Sequence, residues 1–495
     1  MPKARPPNIL WILADELRAA ALGVEGASFP GMAAPRVATP AIDALAAQGT
    51  RFSRHYCNSP ACVPARTSQL TCRAPERTGV YGNEGAWLSF PLPVRHRSFP
   101  EHFAQAGHAT ACFGKSHVHA DYRVWQHENG DGGEMDVFTN VCPVDRLDPI
   151  VPDGIPGAVG GVFPGDLAYP PEAVTRNAVD WLAAAGRDRP FLMCASYLQP
   201  HTPVFPPALL RALYPAAEWP GHDQPRGYGS LYEQTFAEIV GGRRLSHEQM
   251  QRAQADYHAL VTWLDLQVGL LMTALERFGL AEDTIVVFTS DHGASLGENG
   301  LLAKVVHAPQ SQRVPLILRA PGRVPEGRVD DSLSEALDLG RTLCALAGID
   351  PDPEFEGRAL LHDPAPEAVH SVIGYGGAGT TASSAANVGT WPDGRGWPRR
   401  ACLRTQRFRF DMNVRQDGGP VLPENEDMFL ADSLADPAEH RNLAADPAHA
   451  ETVARFRDML LARTATALEP DFVPAYSPAE VGAFAPPPLI VQGRA

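Results

Sequence analysis

The sequence has few features that would tie it to a disulfide scaffold or to nucleic acid. Its eight cysteines contain no CxxC pair, and a chain of 495 residues is too large to need disulfides for stability. It has no excess of positive charge, because the formal net charge is −15, which argues against a nucleic-acid partner. An acidic chain can still bind an anionic substrate where a local cluster of cations reverses the field.

Long hydrophobic runs are also missing near the amino terminus. The first apolar run, Asn8–Leu13, is short and is followed at once by Asp15 and Glu16, so it resembles neither a signal peptide nor a membrane span. We therefore expect a cytoplasmic protein with no membrane partner. A chain whose leader had been removed would start in the same way. The sequence contains no internal repeat.

What the chain does contain is a series of buried-strand patterns separated by helical segments. The apolar runs Ile9–Leu13, Pro190–Tyr197, Thr284–Ser290 and Val314–Arg319 are bounded by polar or turn residues, as in strands covered on both faces. Apolar residues recur at spacings of three and four over Ala253–Phe278, which predicts a helix. This alternation predicts an α/β fold with a mostly parallel central sheet and helices on both faces.

The composition changes after about residue 365. Gly374–Gly396 is rich in Gly, Ala, Ser and Thr and is predicted to be a long loop. Short strands about Arg404–Met412 and a last helix about Ala448–Leu468 follow. We predict a catalytic domain over 1–365 and a C-terminal α+β subdomain over 366–495.

The tail Pro486–Val491 is an apolar arm. We expect it to pack on the body of the protein or on a second subunit, which makes a homo-oligomer one expectation.

Cys62 begins the segment Cys-Val-Pro-Ala-Arg-Thr-Ser-Gln-Leu-Thr-Cys-Arg. Pro64 suits the first turn of a helix, which places Cys62 at a helix N-terminus, where the dipole and free N–H groups favour an anion. Arg66 adds a positive charge one turn along. A buried cysteine before an ordinary helix is the alternative interpretation of this segment.

Two pairs of potential metal ligands follow predicted strands. Asp15 and Glu16 come after the first strand, and Asp291 and His292 come after Thr284–Ser290. Taken singly, such a pair is more often a helix cap or a solvated turn. Because ligands bind beyond the carboxyl ends of parallel strands, the two pairs together predict a site for a hard cation.

Four further residues are dispersed along the chain. Lys115 and His117 lie in Gly-Lys-Ser-His, His201 lies in Pro-His-Thr-Pro, and Lys304 follows Asp291 by about a dozen positions. A histidine met alone is more often structural than catalytic, so these residues gain meaning only from their order.

That order resembles the sulfatase family of the alkaline phosphatase superfamily. Cys-x-Pro-x-Arg followed by Leu-Thr and a basic residue is similar to the family's maturation motif, in which the cysteine is oxidised to formylglycine. Cys57 lacks the following x-Pro-x-Arg, so Cys62 is the predicted site. The family is also resembled by the two pairs that follow strands, by the dispersed Lys and His residues and by the Asp432–Asn442 stretch. One departure is Cys72, where the family usually has Gly.

The resemblance implies an alkaline phosphatase-like fold and the hydrolysis of a small-molecule sulfate ester to an alcohol and inorganic sulfate. A formylglycine gem-diol at Cys62 would be the nucleophile, after modification by a formylglycine-generating enzyme. Arg66, Lys115 and Lys304 would stabilise charge. His201 or Lys304 would protonate the leaving group, and His117 would be the base that lets sulfate depart.

The resemblance also implies one divalent metal, Ca²⁺ or Mg²⁺, and the histidine ligand favours Mn²⁺ more than an all-oxygen site would. The implied ligands are Asp15, Glu16, Cys62 in its modified form, Asp291 and His292.

Two alternative functions stay open. One is a phosphonate monoester or phosphodiester hydrolase of the same superfamily, also as a promiscuous activity. The other is an inactive, unmodified binding protein. The loops Trp219–Gln249 and Gly374–Gly396 are predicted to line the substrate pocket.

Overall fold

The computed structural model describes most of the chain. The described residues are 5–26, 29, 32–83, 92–122, 124–129, 161–163, 169, 171–184, 189–202, 204–222, 229–240, 242–377 and 391–470. The predicted tail arm at 486–491 and residues 378–390 of the predicted loop lie outside them.

The strands before residue 365 form one large sheet and two small pairs. In chain order they are β1 (Asn8–Asp15), β2 (Thr50–Phe52), β3 (His55–Tyr56), β4 (Ala109–Gly114), β5 (His127–Asn129), β6 (Phe191–Pro200), β7 (Thr284–Ser290), β8 (Ser295–Leu296), β9 (Leu302–Ala303), β10 (Leu316–Arg319), β11 (Arg328–Asp330) and β12 (Ser334–Glu335). Eight of them form the large sheet in the order β11-β2-β10-β7-β1-β6-β4-β5.

The sheet is mixed, with a parallel centre. β1 lies between β6 and β7 and runs parallel to both, and β4 and β5 continue the parallel arrangement. The predicted strand at 314–319 is present as β10, but it runs antiparallel to β7 and to β2. The prediction of a mostly parallel sheet is confirmed at the centre, where the carboxyl ends of β1 and β7 meet.

Helices cover both faces of this sheet, and the last described helix of the chain packs on a second sheet instead. In chain order they are α1 (Pro40–Ala47), α2 (Cys62–Thr71), α3 (Pro75–Thr78), α4 (Phe99–Gln105), α5 (Glu172–Ala184), α6 (Ala208–Arg211), α7 (Leu231–Val240), α8 (His247–Arg277), α9 (Pro309–Gln312), α10 (Asp338–Ala347) and α11 (Ala450–Thr464). The predicted helix 253–278 is α8, which begins six residues earlier because Ser246 and Gln249 form a capping box.

β1 shows why the sheet needs two covering layers. All eight of its residues are buried, and alternate side chains point to opposite faces. Leu10 and Ile12 pack in the core that includes α8, whereas Ile9 and Trp11 pack in the core that includes α4 and α10. The continuous apolar run is therefore satisfied on both sides.

α8 is long and apolar enough to cross a bilayer by length and composition alone. Most of it lies inside the protein, however, and 72% of its most apolar stretch is buried. It is the central helix of one core, in contact with α1, α5 and β6.

A second, antiparallel sheet begins just after residue 365. Its strands are β13 (Val369–Ile373), β14 (Arg399–Arg404), β15 (Phe408–Gln416), β16 (Gly419–Pro420) and β17 (Phe429–Asp432). α11 covers it through Phe456 and Leu460. The predicted strand 404–412 spans the turn between β14 and β15, and the predicted helix 448–468 is α11. The domain boundary at 365 stays a prediction.

Candidate active site

Cys62 is the first residue of α2, as the position of Pro64 predicts, and it is only 1% exposed. The N-cap residue Ala61 offers no side-chain acceptor. Asn83 supplies one instead, because its Oδ1 accepts the backbone N–H of Val63 at 3.0 Å. This bond fixes the first turn of the helix and with it the direction of the Cys62 side chain.

Two carboxylates reach Cys62 from neighbouring strands. Asp15 is the last residue of β1, and Asp291 directly follows β7. The Sγ of Cys62 lies 3.7 Å from Oδ1 of Asp15 and 3.2 Å from Nε2 of His292. One potential ligand atom from each of these four residues lies within 4.8 Å of the others, and all four residues are buried.

This four-residue group fits a divalent cation. Two carboxylates and one imidazole on a rigid sheet edge are a ligand set suited to a hard or borderline metal. The residues present therefore agree with the metal that the sequence predicts.

Arg66 ties the two carboxylates together. Its Nε lies 2.8 Å from Oδ2 of Asp291, and one Nη lies 3.1 Å from Oδ2 of Asp15. Its other Nη donates to the carbonyl oxygen of Lys115 and to Oγ of Ser196. The planar guanidinium thus holds oxygens from β1 and β7 in a fixed relation.

Two lysines flank the Cys62 sulfur. Lys115 Nζ is 3.8 Å from the Sγ atom and 2.5 Å from Oδ2 of Asp15. Lys304 Nζ is 3.0 Å from the same sulfur and 2.6 Å from Nε2 of His201. Two ammonium groups therefore lie within 3.8 Å of the sulfur, which favours negative charge at this position.

Glu16 lies beside this group and points toward the lysine and histidine. Its Oε2 is 3.2 Å from Nζ of Lys304 and 3.2 Å from Nε2 of His201. Its backbone has a positive φ of 62°, and the Tyr257 hydroxyl donates to its carbonyl oxygen at 2.7 Å. The structure groups Glu16 with Asp15 and His201, in a second set of three potential ligands.

His117 is the remaining predicted site residue. It is half-buried, has a positive φ of 43°, and its side chain hydrogen bonds the side chain of Cys62. His119 is buried, and its Nδ1 accepts the backbone N–H of Asp121. The structure therefore brings His117, and not only the residues named above, to Cys62.

The electrostatics favour an anion at position 62. Burial raises the pKa of the Cys62 thiol, but Lys115, Lys304 and the neighbouring histidines outweigh burial and bring the pKa well below its usual value. Burial lowers the pKa of His292, yet the Asp291 carboxylate raises it to about 9.

The two carboxylates titrate in opposite directions. Burial and Cys62 would raise the pKa of Asp15, but the cations around it, with Lys115 first, hold it well below its usual range. Burial and the Asp15 charge raise the pKa of Asp291. A cation bound between them would favour ionisation of both.

Three polar residues that support the site are missing from the sequence interpretation. They are Asn83, Ser196 and Tyr257. Ser196 is a polar residue near the carboxyl end of a buried strand, and that position could have signalled a role. Asn83 and Tyr257 carry no comparable signal, because only the folded chain brings them to the site.

Comparisons with known proteins agree with this geometry. The sulfatase family profile matches residues 7–349, which is more than half of the chain. The arylsulfatase of Clostridium perfringens is 26% identical over 384 residues, covering 72% of this chain and 77% of that protein. The choline-sulfatase of Rhizobium meliloti is 29% identical, covering 69% of this chain and 68% of its own length.

A solved structure shows the fold as well. The phosphonate monoester hydrolase of Silicibacter pomeroyi has a TM-score of 0.72 and 23% identity, covering 94% of this chain and 96% of that one. This likeness shows the alkaline phosphatase-like fold that the resemblance implies. The chain belongs to the sulfatase family, and it is a sulfuric ester hydrolase.

Proposed function

We propose that the mature protein cleaves a small-molecule sulfate ester with formylglycine in place of Cys62. The observation that carries this proposal is the convergence of cations on the Cys62 side chain, with Lys304 at 3.0 Å and Lys115 at 3.8 Å. Hydrated formylglycine supplies one hydroxyl as nucleophile and a second through which sulfate can be expelled. Neither cysteine nor serine offers that second hydroxyl.

The proposed metal ligands are the four grouped residues, with Glu16 as a further candidate. They are Asp15, Asp291, His292 and residue 62. A divalent cation there supplies Lewis-acid stabilisation of negative charge and lowers the pKa of a hydroxyl. Ca²⁺ or Mg²⁺ is the proposed ion, and Mn²⁺ would suit the histidine ligand.

The lysines bind and orient the sulfate group. A sulfate ester is an anion whose oxygens gain further charge in the transition state. Lys115 and Lys304 both lie next to the side chain of residue 62, so each can contact a sulfate oxygen. Arg66 acts on the carboxylates, since its nitrogens contact both Asp15 and Asp291.

His201 and Lys304 form the proposed acid. The Nδ1 of His201 bonds the Thr202 carbonyl oxygen, so Nε2 is the nitrogen that faces Lys304. The pair carries a proton between Nε2 and Nζ, and it can pass this proton to the departing alcohol oxygen as the S–O bond breaks. Glu16 lies 3.2 Å from both nitrogens and balances their charge.

His117 is the proposed base of the second half-reaction. It contacts the residue-62 side chain, so it can accept the hydroxyl proton whose removal releases sulfate and restores the aldehyde. A formylglycine-generating enzyme would be the maturation partner, and the cytoplasm is the proposed location.

A substrate panel tests the function. Fully modified enzyme is assayed with an aryl sulfate, choline sulfate, sugar sulfates and a phosphonate monoester, and kcat/KM is compared. We expect at least one sulfate ester to be preferred over the phosphonate. A higher kcat/KM for the phosphonate monoester than for every sulfate would overturn the proposal in favour of the phosphonate hydrolase alternative.

A further inference from the structure

The segment 303–307, which we call the Lys304 segment, has an unusual backbone. Ala303 and Val305, which flank the lysine, have φ angles of 60° and 75°. Residues with side chains rarely adopt this left-handed region, and a β-branched valine does so least readily. Such a conformation persists only where surrounding structure holds it. The residues that hold it therefore decide where the Lys304 ammonium lies.

The pairing of β9 with β8 holds the segment on one side. Hydrogen bonds also reach it from more distant parts of the chain. The backbone N–H of Val305 donates to the carbonyl oxygen of Pro60 at 2.9 Å, which ties it to the loop before Cys62. The carbonyl oxygen of His307 accepts an Nη of Arg404 at 2.8 Å. Arg404 belongs to β14 of the small sheet, about a hundred residues further along the chain.

Arg404 is itself firmly anchored. It is 2% exposed, and its guanidinium contacts both carboxylate oxygens of Glu439, at 2.5 and 3.0 Å. Its Nε donates to Oε1 of Gln312, the last residue of α9. It also lies over the ring of Tyr56, 5.1 Å from the centroid, at the end of β3 and shortly before Cys62. One buried side chain thus contacts the chain at two points after Lys304, the carbonyl oxygen of His307 and the side chain of Gln312.

We propose that Arg404 is a positioning residue for the leaving-group acid. The small C-terminal sheet also contacts His307 through the Arg400 carbonyl oxygen, 3.3 Å from Nε2 of the histidine. The Arg404 guanidinium fixes the backbone carbonyl of His307 and so keeps Lys304 close to residue 62 and to His201. The inference rests on the proposed function in one respect, namely that Lys304 acts on the departing oxygen. Arg404 touches no reacting atom.

A double-mutant cycle tests it. Arg404→Met, Lys304→Ala and the double variant are assayed with substituted phenyl sulfates of rising leaving-group pKa. Arg404→Met should steepen the dependence of kcat on leaving-group pKa, with a loss of about tenfold or more for the poorest leaving group, since misplacement near 1 Å is that costly. In the Lys304→Ala background the same change should cost no more than about twofold.

Arg409 offers a matched control. It lies opposite Arg404 on β15, is equally buried, and bonds the same Glu439. Its other side-chain hydrogen bonds go to Asp411 and to Glu233. Arg409→Met should lower the melting temperature without changing the leaving-group dependence. If Arg404→Met does not fold, Arg404→Lys, which keeps a cation beside Glu439, is compared with Arg409→Lys in the same assay.

The outcomes separate the two proposals. Independent losses in the double variant, or the same steepening in the Arg409 variant, would overturn the positioning role. A wild-type enzyme that hydrolyses no sulfate ester would instead overturn the proposed function itself.

Discussion

A β-carbon on Gly340 would lie 2.3 Å from the Sγ of Cys72. Cys72 terminates α2 with φ 52° and ψ 36°, the left-handed conformation that suits glycine. This is the position where the family usually has Gly. Here the extra side chain fits because residue 340, in α10, has none. Cys72 lies at the end of the helix that begins with the predicted nucleophile. Gly340, 268 positions later in the sequence, leaves the space that its side chain needs.

The first prediction follows from that contact. Gly340→Ala should destabilise the protein by about 1–3 kcal/mol, because the new methyl group overlaps the Cys72 sulfur. Adding Cys72→Gly should restore much of the loss, since it removes the overlapping atoms and relieves a strained backbone. Thermal unfolding of both single variants and the double variant measures this. Strictly additive changes in stability would show that the two side chains do not interact.

The second prediction concerns Cys62. Cys62→Ser should fold, because the change is small, and should lose multiple turnover, because serine has no second hydroxyl for release of sulfate. Activity of the wild-type chain should rise with aldehyde content on co-expression with a formylglycine-generating enzyme. Peptide mapping should show a loss of about 18 Da at Cys62 in the active material. Full turnover without such a peptide would leave a plain metal hydrolase.

The third prediction separates the metal ligands. Asp291→Asn should lower metal affinity by about tenfold or more, because it removes a charged ligand from the four-residue group. Glu16→Gln is the comparison, and we expect a smaller loss because Glu16 points to Lys304 and His201. Elemental analysis after dialysis, and thermal shift on chelation, report occupancy directly. Wild-type occupancy in the Asp291 variant would show that the site is misplaced.

The fourth prediction concerns His201. His201→Ala should slow alkyl sulfates more than activated nitrophenyl sulfates, because a poor leaving group needs its proton and a good one does not. The measurement is kcat for both substrate types, with Lys304→Ala assayed in parallel. Equal losses on the two substrate types would point to a role of His201 in binding or folding.

The fifth prediction concerns stability and pH. Asp265 of α8 is buried and accepts the backbone N–H groups of Ala41 and Ile42 at the start of α1. Burial raises its pKa from 3.8 to about 6, with Asp43 adding to the shift and the two backbone bonds opposing it. Since the folded state holds the proton more tightly, the stabilisation is complete below pH 3.8 and is lost as pH rises through 6.

Asp265→Asn should remove that dependence. The melting temperature of the wild-type protein should fall relative to the variant between about pH 4 and 6, whatever the constant offset from the lost acceptor. Two parallel curves of melting temperature against pH would contradict the assignment.

The sequence predicts the parts of the site that follow local patterns. Asp15 and Asp291 come at the ends of apolar strands, and Cys62 begins a helix with a proline in its first turn. The spacing of apolar residues and the residues that end these elements therefore indicate their places. The support given by Asn83 and Arg404 cannot be predicted in this way, because it depends on contacts between residues far apart in the sequence, in the second case from a separate sheet. The antiparallel direction of β10 could not be predicted from the sequence either, because an apolar run has the same pattern in a parallel and in an antiparallel strand.

Cys62 begins α2 almost fully buried, and this has a consequence for timing. Lys304, whose Nζ lies 3.0 Å from the Cys62 sulfur, comes 242 residues later in the chain. At ordinary rates of synthesis, this interval lasts roughly 10 to 50 seconds. The Cys62 motif is synthesised before Lys304, whereas in the folded protein every residue of α2 is buried. Under the proposed function, the speed of the ribosome and the order of folding therefore limit the time in which a formylglycine-generating enzyme can reach the unburied motif.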